Sequence, residues 1–184
     1  MPQSIAANPI LVEATRGDMV ESFHRGRYVV MTSDGTVVDQ GGDIDALMYP
    51  RSAIKPLLAI PFVESGAVEA FGLEDKHIAL ACSSHNGEEE HAQTVKAWLE
   101  KIGLSVDTLE CAPHYSLSQA AGIKQASDHV TLTKAHNNCS GKHSGFLSTV
   151  QQLGEDPVGY IEESHPVQQR LIRVLEEMGD CDLS

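Results

Sequence analysis

Ser52 and Lys55, in the run Arg51-Ser52-Ala53-Ile54-Lys55-Pro56, are the residues whose types and spacing point most directly to chemistry. Three positions apart, they fall on one face of a helix, one turn from each other. A serine hydroxyl is a weak nucleophile at neutral pH and needs a base within hydrogen-bond reach. A lysine whose pKa is lowered by desolvation can be that base. Serine and lysine are common, so the pair alone is a weak signal.

Two further polar segments flank elements that read as regular: Ser83-Ser84-His85-Asn86-Gly87 and Asn137-Asn138-Cys139-Ser140-Gly141-Lys142-His143. Plain structural readings stand beside the chemical ones. Ser83 and Ser84 are good caps for a helix starting near Glu88, and His85 and His91 suit the surface of an acidic helix. His136, Cys139 and His143 invite zinc, because Cys139 and His143 are four apart and zinc accepts both types. Three ligands within eight residues nevertheless lack the paired spacing of a structural finger. A phosphate loop at Gly141-Lys142 fails, since His136 and His143 stand where that motif needs a glycine and a Ser or Thr.

The elements that must position these groups follow from periodicity. Residues 11–14, 20–23, 27–32 and 36–39 read as strands, with Asp34-Gly35 a strong hairpin signal. A helix begins near Ser52. Pro56 is acceptable in its first turn, whereas Pro61 bends or interrupts it, which puts Ser52 near a helix start whose partial positive charge favours an oxyanion. Residues 77–82 read as a buried strand. Residues 88–102 read as a helix with Val95, Trp98, Leu99 and Ile102 inward and Gly103 as its stop. Further helices are expected over 142–153 and 165–178, the latter with Val167, Leu171, Val174, Leu175 and Met178 on its apolar side. The chain reads as mixed α/β, one domain over 1–184, with polar loops punctuating a buried sheet.

Bulk properties narrow the function. The 184 residues are 41% hydrophobic, enough for one globular core. A net charge of −13, from 26 acidic and 13 basic residues, argues against a nucleic-acid surface and an anionic membrane partner. No apolar run approaches membrane-spanning length, and Met1 to Ile10 has no basic residue or apolar core of an export signal. Cys82, Cys111, Cys139 and Cys181 form no Cys-x-x-Cys pair, so free thiols or metal ligands are expected over disulfides, with a cytoplasmic location as the default.

Together, Arg51 to Pro56, Cys82-Ser83-Ser84-His85 and Asn138-Cys139-Ser140-Gly141-Lys142-His143 resemble the signature of the asparaginase II family of Rhizobium etli type. The start of the chain, with Val20 to Gly26, and Ser164-His165-Pro166 resemble it too, so the likeness covers nearly the whole sequence. The resemblance implies hydrolysis of L-asparagine to L-aspartate and ammonia. It also implies a fold similar to serine β-lactamases and penicillin-binding proteins, which use Ser-x-x-Lys. Carried over, Ser52, Lys55 and Ser84 are catalytic, and Cys139 and Lys142 hold a zinc ion beside the substrate. Lysine must be neutral to bind a metal, and the cation can enforce this. Arg51, His85, Asn138 and His143 are then substrate contacts, and the family suggests a homodimer.

The family's third zinc cysteine and a further catalytic lysine belong to a later segment, so the chain is expected to be the N-terminal part of such a domain. Alternative readings are an inactive truncated remnant or binding module, and a Ser-x-x-Lys hydrolase acting on another amide or ester.

Overall fold

The structure, a computed structural model, describes residues 7–183. Residues 1–6, which belong to the stretch read as carrying no export signal, and Ser184 lie outside the described residues. The chain divides into two compact units, Met1–Tyr49 and Pro50–Ser184.

The first unit is two antiparallel hairpins. β1 (Ile10–Arg16) pairs with β2 (Met19–Arg25), and β3 (Tyr28–Met31) with β4 (Val37–Gly41). The Asp34-Gly35 signal forms the second turn. Gly35 takes φ +87°, and its N–H donates to Thr32 O (3.0 Å), while Asp34 Oδ1 accepts from Thr36 N (3.1 Å). Among the described residues the expected buried sheet does not form. Each ladder has two strands, and the side chains of β1, β2 and β3 are exposed throughout.

The second unit is helical. A 3-10 turn, Arg51–Ile54, leads into α1 (Lys55–Leu58), followed by α2 (Ile60–Glu64) and α3 (Ala67–Ala70). The break at Ala59 is the one Pro61 demands, for each proline lies in the first turn of its own helix. Next come α4 (Asp75–Cys82), α5 (Glu89–Lys101), α6 (Gln119–Ser127), α7 (Ser140–Gln152) and α8 (Pro166–Gly179). Gly103 follows α5 at φ +77°, as its stop signal requires.

Residues 77–82 are helical rather than a strand. Glu74 and His77 close a capping box at the start of α4, and His77, Leu80 and Ala81 are buried at helical spacing. The alanine-rich run also has better helix than strand propensity. α7 starts two residues earlier than expected, and α8 leaves Met178 exposed.

Trp98 and Leu99 of α5, Leu147 and Val150 of α7, Phe62 of α2 and Tyr160 meet in the core. α7 is lined with small residues so that α4 can approach it. A Cβ at Gly141 would stand 2.4 Å from Leu80 O, and one at Gly145 3.4 Å from the Ala81 methyl. Its buried hydroxyls are satisfied along the helix: Ser144 donates to Ser140 O (2.9 Å) and Ser148 to Ser144 O (2.8 Å). Ser148 Oγ in turn accepts from Trp98 Nε1 (2.9 Å). Among the described residues, no helix is long and apolar enough to cross a membrane.

Candidate active site

The 3-10 turn explains why Ser52 and Lys55 face the same way. Its i to i+3 geometry eclipses side chains three apart, and Lys55 N–H donates to Ser52 O to close the turn. Arg51, just before the serine, takes a left-handed backbone (φ +52°) that costs a side-chain-bearing residue about 1 kcal/mol. Lys55 is 3% exposed, whereas Ser52 and Arg51 are open to solvent.

The second segment reaches Lys55 from the end of α4. Ser83 Oγ donates to Leu80 O (3.0 Å), which ties down the helix end. Ser83 O then accepts from Lys55 Nζ (2.6 Å). Lys55 Nζ also donates to Ser84 Oγ (2.8 Å), and the Ser84 hydroxyl lies 2.9 Å from Ser52 Oγ. Lysine, Ser84 and Ser52 thus form one hydrogen-bonded chain from a buried amine to an exposed hydroxyl. Burial pushes the Lys55 pKa down, and the Lys142 charge adds to this, while Cys139 pulls it the other way. The two serines therefore do not cap α5. Glu88 does so, in a capping box with His91.

His85 is no surface histidine but is 5% exposed. Its Nδ1 accepts from Gly87 N–H (3.1 Å), so Nε2 carries the proton and donates to Ser140 Oγ (2.9 Å). The Ser140 hydroxyl donates onward to Ala135 O (2.8 Å). Burial, then the charges of His91 and Lys55, pushes the His85 pKa down to about 4. With both ring nitrogens engaged, His85 pins the 83–87 loop to the start of α7.

The third segment sits at that same helix start. Cys139 is the N-cap of α7, its N–H donating to Asn137 Oδ1 (2.8 Å). Asn138 N donates to His114 Nε2 (2.9 Å). Lys142, one turn along, places its amine 5.5 Å from the centre of the Phe146 ring. His143 Nδ1 is 2.7 Å from Tyr160 OH, which also accepts from Glu110 N–H (2.9 Å). The phenol therefore donates to Nδ1, and the imidazole proton sits on Nε2. Burial, then the charges of Lys142 and Lys55, holds the His143 pKa down at about 3.

His136, Cys139 and His143 do not assemble as metal ligands. His136 Nδ1 closes a capping box with Thr133, and His143 is turned onto Tyr160. Among the described residues, no group of three or more His, Cys, Asp or Glu could hold a metal ion. The Cys139 sulfur is a donor type that suits zinc, the Lys142 amine could serve only when neutral, and both bear electrostatically on Lys55.

Sequence reasoning found the residues that meet at Lys55 but missed those that hold them. Ser140, Tyr160 and His114 gave no spacing signal, because each works through contacts formed only on folding, 55, 17 and 24 residues apart in sequence. No curated protein matches the chain. The family model described as L-asparaginase II matches residues 12–184 and so takes in the Ser52, Ser84 and Cys139 segments alike. The chain belongs to the L-asparaginase II family.

Proposed function

We propose that the chain carries the nucleophile and base of an L-asparaginase, acting on the side-chain amide of L-asparagine. The observation that supports this best is the unbroken hydrogen-bonded chain Lys55–Ser84–Ser52. Ser52, exposed at its outer end, attacks the amide carbon. Its proton passes to Ser84 Oγ as the Ser84 proton passes to Lys55 Nζ, a transfer that needs the neutral lysine. Burial of Lys55 makes that form accessible below the ordinary lysine range. Lys55 returns the proton through Ser84 to the departing amide nitrogen, which leaves as ammonia, and a water then hydrolyses the aspartyl ester on Ser52.

Arg51 pairs with the substrate carboxylate as a charge-assisted clamp, and Asn138 and the His143 Nε2–H supply further polar contacts. His85 acts through position, holding the Ser84 loop. In this reading Cys139 and Lys142 would hold a zinc ion, which would supply positive charge beside the substrate. The Rhizobium etli type and a β-lactamase-like scaffold belong to the same proposal and rest on the motif resemblance, as does a homodimeric assembly.

Incubation of the purified chain with L-asparagine and L-glutamine, with ammonia as the readout, tests the reading. Ser52→Ala is expected to lower turnover by about 10³ or more with an unchanged circular dichroism spectrum. Undiminished release by that variant sinks the nucleophile. No release by the unmodified chain from either amide, with asparagine still raising its Tm, leaves a binding module instead.

A further inference from the structure

A second polar site lies away from Ser52, Ser84 and Lys55. α5, the 3-10 turn Val106–Thr108 and the segment running into the 3-10 turn Lys134–His136 line a half-open cavity of about 500 Å³. Its walls bring together Glu89, Lys96, Glu100, Asp107 and His136. His136 is 5% exposed, and its Nε2 is the buried side-chain polar atom left without a hydrogen-bond partner among the described residues. Such an atom costs about 1–3 kcal/mol unless something meets it.

The chemistry of that atom is fixed by the other side of the ring. His136 Nδ1 accepts from Thr133 N–H (3.0 Å), so it carries no proton, and Nε2–H is a donor. A metal at Nε2 would force the proton onto Nδ1, against the Thr133 N–H, so the missing partner is an acceptor. Glu89 Oε2, an acceptor, stands 3.8 Å from Nε2, beyond hydrogen-bond length. A donor and an acceptor at this separation present the complement of a primary carboxamide, whose C=O meets Nε2–H while its NH₂ meets the carboxylate. A carboxylate ligand would set two anions together, and an ammonium would leave Nε2–H unmet. Lys96, with Glu100 one turn along the same helix and Asp107 across the cavity, offers both signs of charge for the zwitterionic end of an amino acid.

We infer that this cavity is a second binding site, selective for an amino acid bearing a side-chain carboxamide, with the amide held between His136 and Glu89. The site would distinguish asparagine from aspartate, and it does so whether or not Ser52 turns asparagine over.

NMR of the full chain with ¹⁵N-labelled histidine reads His136 directly. L-Asparagine is expected to shift the His136 Nε2 signal saturably in Ser52→Ala, which does not consume it, and this separates the site from the proposed reaction. L-Aspartate at equal concentration is expected to leave the signal in place. Glu89→Ala and Lys96→Met, both exposed positions, should each weaken asparagine binding about tenfold or more, about 1.4 kcal/mol. No shift with asparagine, an equal shift with aspartate, or unchanged binding in Glu89→Ala would each overturn the assignment.

Discussion

The two units use the same backbone chemistry and opposite side-chain strategies. In the first, β1, β2 and β3 satisfy their amides across two-stranded ladders while every side chain stays exposed, Val12 at 56% and Phe23 at 51%. In the second, α7 buries Ser140, Gly141 and all of residues 144–150. Ladder hydrogen bonds contribute about 1 kcal/mol each net of water, and an isolated hairpin is marginal. Burial of a large apolar side chain contributes about 1.5–3 kcal/mol. Stability is therefore concentrated in the unit that mounts Ser52, Lys55 and Ser84, and a proton path of two hydrogen bonds needs that rigidity.

Truncating a core residue beside its counterpart in a ladder tests this contrast most strongly. Trp98→Ala is expected to cost about 3–5 kcal/mol, since it opens a cavity and leaves Ser148 without its indole donor. Val30→Ala, half exposed in β3, should stay within about 0.5 kcal/mol. Denaturant midpoints measure both, and comparable losses would break the comparison.

Acid should separate the units next. His85 is buried neutral with its pKa lowered to about 4, so the unfolded chain takes up that proton first as pH falls through 6.5. Stability is lost from there down to about pH 4, by on the order of 3 kcal/mol, with His143 adding to the loss down to about pH 3. In the first unit, Asp34 is lowered by hydrogen bonds from Thr32 and Thr36, so its contribution is present above pH 3.8 and lost only below it. Urea titrations at pH 7, 5.5 and 4.5 follow the histidine window. A flat midpoint across them would remove His85 from the account.

Paired glycine substitutions give the smallest contrast. Gly141→Ala drives a methyl onto Leu80 O and should cost about 1–3 kcal/mol or more by forcing α4 from α7. Gly17→Ala meets nothing within 4 Å and pays only for its φ of +60°, about 1 kcal/mol. Equal Tm shifts in the two variants would mean that α4 and α7 are not in tight contact.

What could be read from the sequence follows the range of the forces involved. The Asp34-Gly35 turn, the break at Pro61 and the inward face of α5 are local signals, and the folded chain bears them out. The misreading of residues 77–82 has the opposite origin. A short apolar run suits a buried strand or a buried helix equally, and the close fit of Leu80 and Ala81 to Gly141 and Gly145 is visible only once α7 is in place. Likewise, the spacing of Cys139 and His143 spoke for a shared metal, but Tyr160, distant in sequence, claims the imidazole.

Arg51 holds two properties in one residue, a left-handed backbone beside Ser52 and a solvent-exposed guanidinium. Glycine would relax the first and delete the second, while lysine would keep a charge but not the planar fork, at the same backbone cost. Saturation mutagenesis at this position would therefore score geometry and charge together. Asparagine and aspartate, which tolerate the left-handed region without bearing positive charge, are the substitutions that separate them.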